Sequence, residues 1–365
     1  MAKRFRAAII SLGSLSSRWT FEAMKKYFSH VDSFNIKNIE IDLGSKQPRI
    51  ICDDQPMVQY DCIYSKGSFR YADVLGAIKT TMEDTTYMPV TSMAFRIGHD
   101  KVLSHIAMQN HKVPMPITYL SSSVKAAKNI LKKINYPIIM KLPSGTQGKG
   151  VMFAESYESA SSFLDTLEAL KQPFLIQEYV ETDGQDIRAI VVGDKVVAAM
   201  KRIAKSDEKR ANVHAGGSAE PVVLDTHTRN IAVEAARAIG AEICGVDILE
   251  TIKGPVVIEV NLSPGLQGIT KATKVDVADK IAKYLFKRTS EQCDQGRTED
   301  TSKLMDNLGI SQAGEEPKEI ITNLDFRGDK ILLPELITHV TKFTESKEVV
   351  FKVSEGKLVI EKFDV

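Results

Sequence analysis

The most informative segment of the chain is Gly245-Val246-Asp247-Ile248-Leu249, followed by Thr251-Ile252-Lys253-Gly254-Pro255 and by Val256-Val257-Ile258-Glu259-Val260-Asn261-Leu262-Ser263-Pro264-Gly265. Two apolar runs around a Gly-Pro turn predict a β-hairpin. Because side chains alternate along a strand, Glu259 and Asn261 share one face, and a turn centred on Lys253 places Asp247 opposite Glu259. Apolar residues flank these positions on both faces, which indicates buried strands whose two carboxylates need a compensating charge.

The three oxygen-bearing side chains of this hairpin, Asp247, Glu259 and Asn261, predict a metal site. Two carboxylates and an amide oxygen suit Mg²⁺, which keeps its remaining positions for water and substrate phosphates. For this segment alone, a hairpin with one wet face and solvated acids is an equal alternative. The rest of the chain has to decide between the two interpretations.

Composition and charge limit the classes of function. With 365 residues, 43% hydrophobic and 26% charged, the chain is globular and long enough for two or three domains. The net charge is +1, so no overall field attracts nucleic acid or an anionic membrane. The four cysteines form no CxxC pair, which argues against a zinc site or a disulfide framework and leads us to expect a cytoplasmic protein. The first apolar run, residues 7–10, is too short for a signal or membrane segment.

The apolar runs and turn residues predict a mixed α/β (α+β) protein. The predicted regions are an N-terminal α/β domain at 1–90, two further subdomains at 91–172 and 173–288, an acidic linker at 289–317 and a small β-rich module at 318–365. Predicted strands lie at 7–12, 36–43, 61–65, 138–142, 174–180, 186–192 and 195–202, and predicted helices at 20–28, 71–81, 100–110, 158–170, 226–239 and 275–286. We expect one short helix in the linker, at 302–308, and in the module a helix at 335–343 and strands at 330–334, 349–353 and 357–362. Fewer than 50 residues bury too small a core alone, so pairing with another copy is predicted for the module.

A glycine-rich loop, Ser144-Gly145-Thr146-Gln147-Gly148-Lys149-Gly150-Val151, follows a predicted strand. Its glycines let backbone N–H groups approach a polyphosphate closely. It is not a Walker A loop, because Gly150 follows Lys149 where that motif needs Ser or Thr. Lys141 ends the preceding strand, where an unpaired ammonium is costly, and this indicates a phosphate partner. A flexible hairpin turn and a satisfied surface lysine are the alternatives.

Two further strand regions carry polar groups. The run Gln177-Glu178-Tyr179-Val180 ends an apolar strand and suits a heteroaromatic ring, although a plain edge strand is the alternative. Asp186 and Arg188 lie on one strand of the next pair, and Lys201 and Arg202 on the other. Arg202 and Arg210 would supply planar forks for phosphate or carboxylate oxygens. In the loop beyond, we interpret His214 as a structural hydrogen bonder and residues 205–209 as solvated charges.

In their order along the chain, these motifs resemble the ATP-grasp ligases, and among them most closely the RimK-type α-L-glutamate ligases. The matching segments are Asp100-Lys101, Lys141 with the glycine loop, Gln177-Glu178-Tyr179-Val180, Asp186-Ile187-Arg188, Lys201-Arg202, Arg210-Ala211-Asn212 and the acidic hairpin through Ser263-Pro264-Gly265. The resemblance covers roughly residues 1–288 and is strongest from about residue 90 on. It implies an ATP-grasp fold preceded by a pre-ATP-grasp α/β domain at 1–90.

The resemblance also implies roles for individual residues. ATP would be bound by Lys101, Lys141, Gly145, Gln147, Gly148, Lys149, Gly150, Gln177, Glu178, Tyr179, Val180, Asp186, Arg188 and Lys201. Arg202, Arg210 and Asn212 would face the transferring phosphoryl group, and Asp247, Glu259 and Asn261 would bind two Mg²⁺ (or Mn²⁺) ions. Ser263, Pro264 and Gly265 would shape the substrate side.

The implied reaction joins an acceptor carboxylate to an amine. ATP converts the carboxylate into an acyl phosphate, and an amino acid, L-glutamate by resemblance, displaces phosphate to form an amide. The acceptor would be a protein C-terminus or a small coenzyme, and we expect its choice to reside at 14–19 and 66–70. Alternatives are a carrier-protein ligase of lysine or arginine biosynthesis, a glutamate ligase for a pterin or deazaflavin coenzyme, and a non-catalytic ATP-binding scaffold or regulator.

The tail at 318–365 departs from the usual length of the family and weakly resembles an AbrB-like swapped-hairpin module. Its glutamates offset its lysines, which disfavours DNA binding. We therefore expect it to make a homo-oligomer, a dimer or tetramer, or to dock the acceptor, and we expect no membrane partner.

Overall fold

The structure is a computed structural model that describes residues 5–44, 48–82, 85–142, 150–204, 218–307, 325–327, 330–332, 349–354 and 357–362. The chain divides into two compact units, Met1–Glu299 and Asp300–Val365. Every predicted site residue belongs to the first unit.

Strands and helices alternate irregularly along the chain, as expected for a mixed α/β protein. In chain order up to Lys141 they are β1 (Arg6–Ser11), α1 (Leu15–Met24), β2 (His30–Asn35), β3 (Ile39–Asp42), β4 (Arg49–Cys52), β5 (Gln55–Pro56), β6 (Cys62–Ser65), α2 (Ala72–Met82), α3 (Ser92–Ile97), α4 (Lys101–Asn110), β7 (Thr118–Leu120), α5 (Val124–Leu131) and β8 (Ile138–Lys141). They continue with β9 (Val151–Ala154), α6 (Tyr157–Ala169), β10 (Leu175–Glu178), β11 (Gln185–Val192), β12 (Lys195–Ile203), β13 (Ser218–Pro221), α7 (Thr226–Ile239), β14 (Ile243–Thr251), β15 (Gly254–Asn261), α8 (Gln267–Thr273) and α9 (Val277–Asn307). Beyond α9 lie β16 (Asp325–Arg327), β17 (Lys330–Leu332), β18 (Val349–Ser354) and β19 (Lys357–Lys362).

The N-terminal region is built on a parallel three-stranded sheet in the order β2-β1-β6. Helix α1 begins after β1 at its N-cap Ser14, whose side chain accepts a hydrogen bond from the Ser17 amide. In a parallel sheet the carboxyl ends of the strands meet at one edge, and ligands commonly bind there. The ends of β1 and β6 and the start of α1 therefore lie together.

The central region is an antiparallel sheet in the order β7-β10-β8-β9, with helices α5 and α6 packed against it. Its core is a separate hydrophobic cluster that includes Leu131, Met140, Leu164 and Ile176. The sheet places β8, which ends at Lys141, directly beside β10, with Lys141 paired to Leu175.

The third region is a five-stranded antiparallel sheet in the order β13-β12-β11-β14-β15. Alternate residues of β11 and β14, such as Ile187, Ala189 and Val246, pack into the core formed with helix α7. The opposite face of the same strands carries Asp186, Arg188 and their neighbours, which form the site described below.

Most predicted elements are confirmed, and the differences have simple causes. Helix α7 matches the predicted 226–239, and the strands 186–192 and 195–202 match β11 and β12 within a residue. Helix α1 begins five residues before the predicted 20–28, because Ser14 caps it. Strand β2 and helix α3 were not predicted, and the predicted strand at 36–43 is a short 3-10 turn followed by β3.

The last predicted helix, 275–286, is α9, which continues to Asn307 through residues expected to form an irregular linker. The acidic run therefore forms helix as far as the structure describes it. The predicted tail strands are confirmed as β17, β18 and β19, whereas the predicted helix at 335–343 lies outside the described residues. The domain boundaries and the AbrB-like resemblance stay predictions.

Candidate active site

One face of the five-stranded sheet changes character along its strands. At one end, Ile190, Met200 and Ile243 pack with helices α8 and α9 in a hydrophobic cluster. At the other end the same face carries paired charges: Asp186 is opposite Arg202, and Arg188 is opposite Asp247. The sheet thus presents a row of charged side chains beyond the part that its helices cover.

The acidic hairpin completes this row, as its pattern predicts. Asp247 is paired with Glu259, and Gly245 with Asn261. The pairing shifts by one residue between Asp247 and Ile248, so the strand β15 has one extra residue, a β-bulge at Ile258.

The bulge decides which way Glu259 points. Val257 and Val260 are both buried in the core on the α7 side, at 1% and 3% exposure, although three positions separate them. In a regular strand residues three apart lie on opposite faces. Because of the extra residue at Ile258, the Val260 side chain again points toward helix α7, and Glu259 and Asn261 lie on the charged face.

Two arginines hold the carboxylates of the charged row. Arg188 donates to both oxygens of Asp247, with Nε–Oδ1 and Nη2–Oδ2 distances of 2.7 and 2.6 Å. Arg202 donates to both oxygens of Asp186, and its Nη2 lies 3.0 Å from Asp247 Oδ2. All four side chains are at most 16% exposed, so these ion pairs are shielded from water. Bidentate pairs between a guanidinium and a carboxylate fix the orientation of the guanidinium plane.

The carboxylates of the row differ in their electrostatics: burial raises the pKa of Asp186 to about 6 in spite of its pair with Arg202, whereas Asp247 stays charged. Burial acts to raise the pKa of Asp247, but Arg188 and Arg202 outweigh it and hold that pKa below its ordinary value. Burial likewise opposes the charge of Arg202, yet Asp247 and Asp186 raise the pKa of its guanidinium. Both partners are therefore ionised at neutral pH.

Glu259 differs from the other two carboxylates. It is solvent exposed, although protein atoms surround it closely, as for a carboxylate on a concave surface. This enclosure raises its pKa first, and the charge of Asp247 raises it further. Within the described chain it has neither a hydrogen bond nor an ion pair, so its oxygens are available to a ligand.

Two lysines approach the row from outside the sheet. Lys101 begins helix α4, which is capped by Asp100, and its pKa is lowered by burial despite the attraction of Glu259. Burial also lowers the pKa of Lys141 to about 8, against the attraction of Glu259. Lys141 Nζ donates to Gln177 Oε1 at 2.6 Å, and Gln177 in turn donates to Thr118 at 2.7 Å. Gln177 therefore orients Lys141.

The donor set suits a hard cation bound together with phosphate. Asp247 and Glu259 supply carboxylate oxygens, and Asn261 supplies an amide oxygen that also accepts a hydrogen bond from the Ser263 amide at 3.0 Å. Among the described residues, no group of three or more His, Cys, Asp and Glu side chains could hold a metal ion. Two carboxylates and an amide fit Mg²⁺ only if water and substrate phosphates complete its coordination.

The predicted adenine-binding residues lie on or just after β10, beside β8. The Glu178 side chain accepts from the Ile117 amide at 2.9 Å, and the Tyr179 ring packs edge-on against Phe153 at 5.0 Å. Val180 follows them and is partly buried. At the start of β9, Gly150 has a φ of +77°, and a Cβ there would lie 2.9 Å from the Leu142 side chain, so the position favours glycine.

The predicted substrate loop contacts the N-terminal region. The Ser263 hydroxyl donates to the Gly67 carbonyl and accepts from the Gly67 amide, both at 3.0 Å. The Pro264 carbonyl accepts from Lys66 Nζ at 3.3 Å. Gly265 precedes Leu266, whose amide donates to the Ser16 hydroxyl at 2.8 Å. The segments expected to choose the acceptor, 14–19 and 66–70, therefore border this loop.

Some predicted site residues are not part of this arrangement. Lys201 is adjacent to Arg202 on β12, so its side chain lies on the other face, where it pairs with Glu250 at 3.1 Å. The remaining predicted residues, Gly145, Gln147, Gly148, Lys149, Arg210 and Asn212, lie outside the described residues.

One contributor was not identified from the sequence. Thr118, which orients Gln177, lies in a short strand whose pattern does not distinguish it. Lys66 belongs to the segment 66–70, which is expected to choose the acceptor, and it is 5% exposed directly after the apolar strand Cys62–Ser65, where a lysine rarely lies without a partner.

The RimK-like ATP-grasp domain family matches residues 98–285. Among curated proteins, a probable alpha-L-glutamate ligase of Marinomonas sp. (strain MWYL1) is 36% identical over 284 residues, which is 74% of this chain and 91% of that protein. The protein of the same description from Thioalkalivibrio sulfidiphilus (strain HL-EbGR7) is 37% identical over 273 residues, again 74% of this chain and 91% of that protein.

Solved structures show the same fold. The ATP-grasp ligase PsnB, in complex with a phosphomimetic variant of its minimal precursor, Mg and ADP, aligns with a TM-score of 0.63 at 17% identity, over 78% of this chain and 98% of that one. The RimK domain ATP-grasp protein of Sphaerobacter thermophilus DSM 20745 aligns with a TM-score of 0.60 at 19% identity, over 77% and 99%. Within the described residues, no helix has the length and apolar character needed to cross a bilayer.

The predicted fold is thus confirmed by the observed sheets and by these structures. The order of its motifs, the match over residues 98–285 and relatives with more than 35% identity over three quarters of the chain lead to one conclusion. The chain is a carboxylate-amine ligase that belongs to the RimK-type ATP-grasp family of α-L-glutamate ligases.

Proposed function

We propose that the enzyme adds L-glutamate to the free carboxylate of a peptide or protein acceptor, with ATP and Mg²⁺. The observation that carries this proposal is the charged row of the five-stranded sheet. There, four cations, Lys101, Lys141, Arg188 and Arg202, surround the carboxylates of Asp186, Asp247 and Glu259. An excess of positive charge beside the exposed carboxylate of Glu259 suits a polyphosphate with its divalent cation.

The proposed metal ligands are Asp247, Glu259 and Asn261. When bound, Mg²⁺ neutralises charge on phosphate oxygens during phosphoryl transfer. PsnB, which has the same fold, was solved with Mg and ADP, and this supports a magnesium-nucleotide site in this chain. Glu259 is the group whose oxygens have no competing partner in the described chain, so we expect metal binding to depend on it most.

The cations have separate tasks in this proposal. Lys101 and Lys141 bind phosphate oxygens, and Gln177 keeps Lys141 in place. Arg202 is held rigidly by Asp186 and Asp247, so its guanidinium is positioned before substrate binds. Preorganised charge of this kind is effective because it needs no rearrangement during the reaction.

The reaction itself needs no nucleophile from the protein. An acceptor carboxylate oxygen attacks the γ-phosphorus, the bond to the β-phosphate oxygen breaks, and ADP leaves. The amine of L-glutamate then attacks the acyl carbon and loses a proton, and phosphate departs with the electrons of the broken carbon–oxygen bond. Positioning and charge neutralisation account for such transfers.

The choice of L-glutamate and of a peptide acceptor in this proposal is based on relatives of this chain. The curated relatives are described as probable alpha-L-glutamate ligases. Precursor peptides are bound in the structures of PsnB and of the macrocyclase MdnC, the latter with a TM-score of 0.57 and 14% identity. Both observations favour a peptide acceptor over a small coenzyme.

The test is amino-acid-dependent release of ADP. The purified protein is incubated with ATP, Mg²⁺, peptides that end in glutamate, and each of the common amino acids in turn. We expect ADP release only when L-glutamate and a peptide are both present, and a product heavier by one glutamyl residue. ATP binding without stimulated ADP release by any pair would favour the non-catalytic scaffold.

A further inference from the structure

The most unusual group outside the charged row is Lys66. It follows β6 at the carboxyl edge of the parallel sheet and is 5% exposed. Its ammonium can donate three hydrogen bonds, yet its one hydrogen bond in the described chain is with the Pro264 carbonyl, at 3.3 Å. No carboxylate partner accompanies it in that part of the chain. A buried, uncompensated ammonium is costly to keep, and burial alone lowers its pKa to about 8.

The surroundings of Lys66 also contain unsatisfied polar atoms. Tyr64, two positions earlier on the same face of β6, has a fully buried hydroxyl without a hydrogen-bond partner in the described residues. The ammonium lies 5.9 Å from the centre of the Tyr64 ring. The Ser65 hydroxyl, which is also buried and has no partner in the described residues, lies on the opposite face of the strand. Buried polar groups normally have partners, so a ligand group that accepts hydrogen bonds would satisfy the Lys66 ammonium.

The position of Lys66 links it to the reaction. Its contact, Pro264, belongs to the loop that follows Asn261, and Gly67 is fastened to Ser263 by two hydrogen bonds. Helix α1 begins at the same edge, and Ser16 near its start accepts from the Leu266 amide. The positive end of a ten-residue helix therefore adds to the charge of Lys66.

The rim of this edge is accessible and partly apolar. Leu12, Leu15 and Phe69 are 41–43% exposed at the ends of β1 and β6. An aliphatic chain that ends in a carboxylate would match a buried cation behind an apolar rim.

We propose that Lys66 binds a carboxylate of a glutamyl substrate that does not itself react, and so selects a second acidic group. The inference rests on the proposed function, because it identifies the substrate as glutamyl. The carboxylate has two sources: the side chain of the incoming L-glutamate, or the side chain of a glutamate at the acceptor terminus. Either would supply the missing acceptor for the ammonium.

Binding measurements distinguish these sources without requiring turnover. With Mg-ADP bound, calorimetric titrations compare L-glutamate with L-glutamine, and the dipeptide Glu-Glu with Glu-Gln. In each pair the second probe differs from the first only at its last residue, whose side-chain carboxylate is replaced by an amide. We expect one acidic probe to bind the wild-type protein on the order of 10- to 100-fold more tightly than its amide. A preference in the first pair assigns Lys66 to the amino acid, and in the second pair to the acceptor.

Substitution then tests the residue. In Lys66→Met and Lys66→Gln, the preferred acidic probe should bind no better than its amide, while the affinity for Mg-ADP stays at the wild-type value. Lys37→Met, which removes an exposed lysine of the same region, should keep the preference.

Three results would overturn the proposal. They are a wild-type protein that binds neither acidic probe, one that does not distinguish acid from amide, and a folded Lys66 variant that retains the distinction. A lysine that serves only to hold Pro264 would leave the acid preference unchanged. Failure of ADP release in the turnover assay, with the Lys66-dependent preference intact, would reject the ligase reaction and leave the carboxylate site standing.

Discussion

Along one face of the five-stranded sheet, the half beneath helices α8 and α9 is apolar, whereas the half beyond them is charged. In the apolar half, Ile190 and Ile243 are fully buried, and their transfer from water stabilises the fold. In the charged half, Asp247 and Arg202 are nearly as buried, and their mutual attraction mainly offsets the cost of leaving water. We infer that the charged half serves the chemistry of the site, since apolar residues would stabilise the same positions at least as well.

The substitution Arg202→Met should cause the largest loss of stability in the charged half. It leaves Asp186 without its paired guanidinium beside the charge of Asp247, and losing one partner of a buried pair costs about 3–5 kcal/mol. Urea unfolding should show that loss, whereas Arg96→Met, which removes an exposed partner of Asp73, should cost less than about 1 kcal/mol. Adding Asp186→Asn should recover part of the stability, and equal losses in the two arginine variants would contradict our account.

Glu259→Gln separates activity from stability. Loss of a proposed metal ligand should lower turnover at least about 100-fold, the upper range for disturbing the neighbours of a ligand. Because the pKa of Glu259 is raised in the fold, its charge destabilises the protein without ligand at neutral pH, so this variant should unfold at the same or a higher urea concentration. Steady-state ADP release and urea unfolding on one preparation measure both effects. A folded variant with the wild-type rate would remove Glu259 from the site.

Gln177→Met probes the support of Lys141 from outside the sheet. Without its hydrogen-bonding acceptor, Lys141 should bind phosphate less well, and the KM for ATP should rise about three- to tenfold with a smaller change in kcat. Initial rates over a range of ATP concentrations give both constants. Thr118→Val, which removes only the next hydrogen bond, should have a weaker effect in the same direction.

The smallest effect is expected in the apolar half. Ile243→Val removes one buried methylene group and should cost about 0.5–1.5 kcal/mol, with the KM for ATP unchanged. Unfolding curves and kinetics of the same preparation would show it. If this substitution instead altered ATP binding strongly, the two halves of the face would be coupled, and the contrast between them would fail.

The sequence anticipated much of this arrangement because strand alternation is a strong constraint. The strands β11 and β12 and helix α7 follow from local patterns. The pairing of Asp247 with Glu259 was predicted correctly but from a turn centred on Lys253, whereas the observed turn is Ile252-Lys253 and the bulge at Ile258 brings Glu259 opposite Asp247. The same alternation argues against the predicted role of Lys201. Adjacent residues in a strand face opposite ways, so Lys201 and Arg202 could not both reach one site.

Other features depend on contacts between distant segments. The early start of helix α1 is not among them, because its N-cap Ser14 is a local feature of the sequence. Helix α9 runs past Phe286 although its sequence there is almost entirely polar. The contact of Lys66 with Pro264 joins positions 198 residues apart, and no periodicity encodes it. Such long-range packing is what a single sequence does not reveal.

The extra residue at Ile258 has a consequence for comparing this enzyme with its relatives. Side chains alternate between the two faces of a strand, so one inserted residue moves every later side chain to the opposite face. A relative that is one residue shorter between Asp247 and Glu259 would turn its glutamate toward the interior unless its turn compensates. Chain length in this hairpin is therefore as diagnostic of a working ligase as the acidic residues themselves.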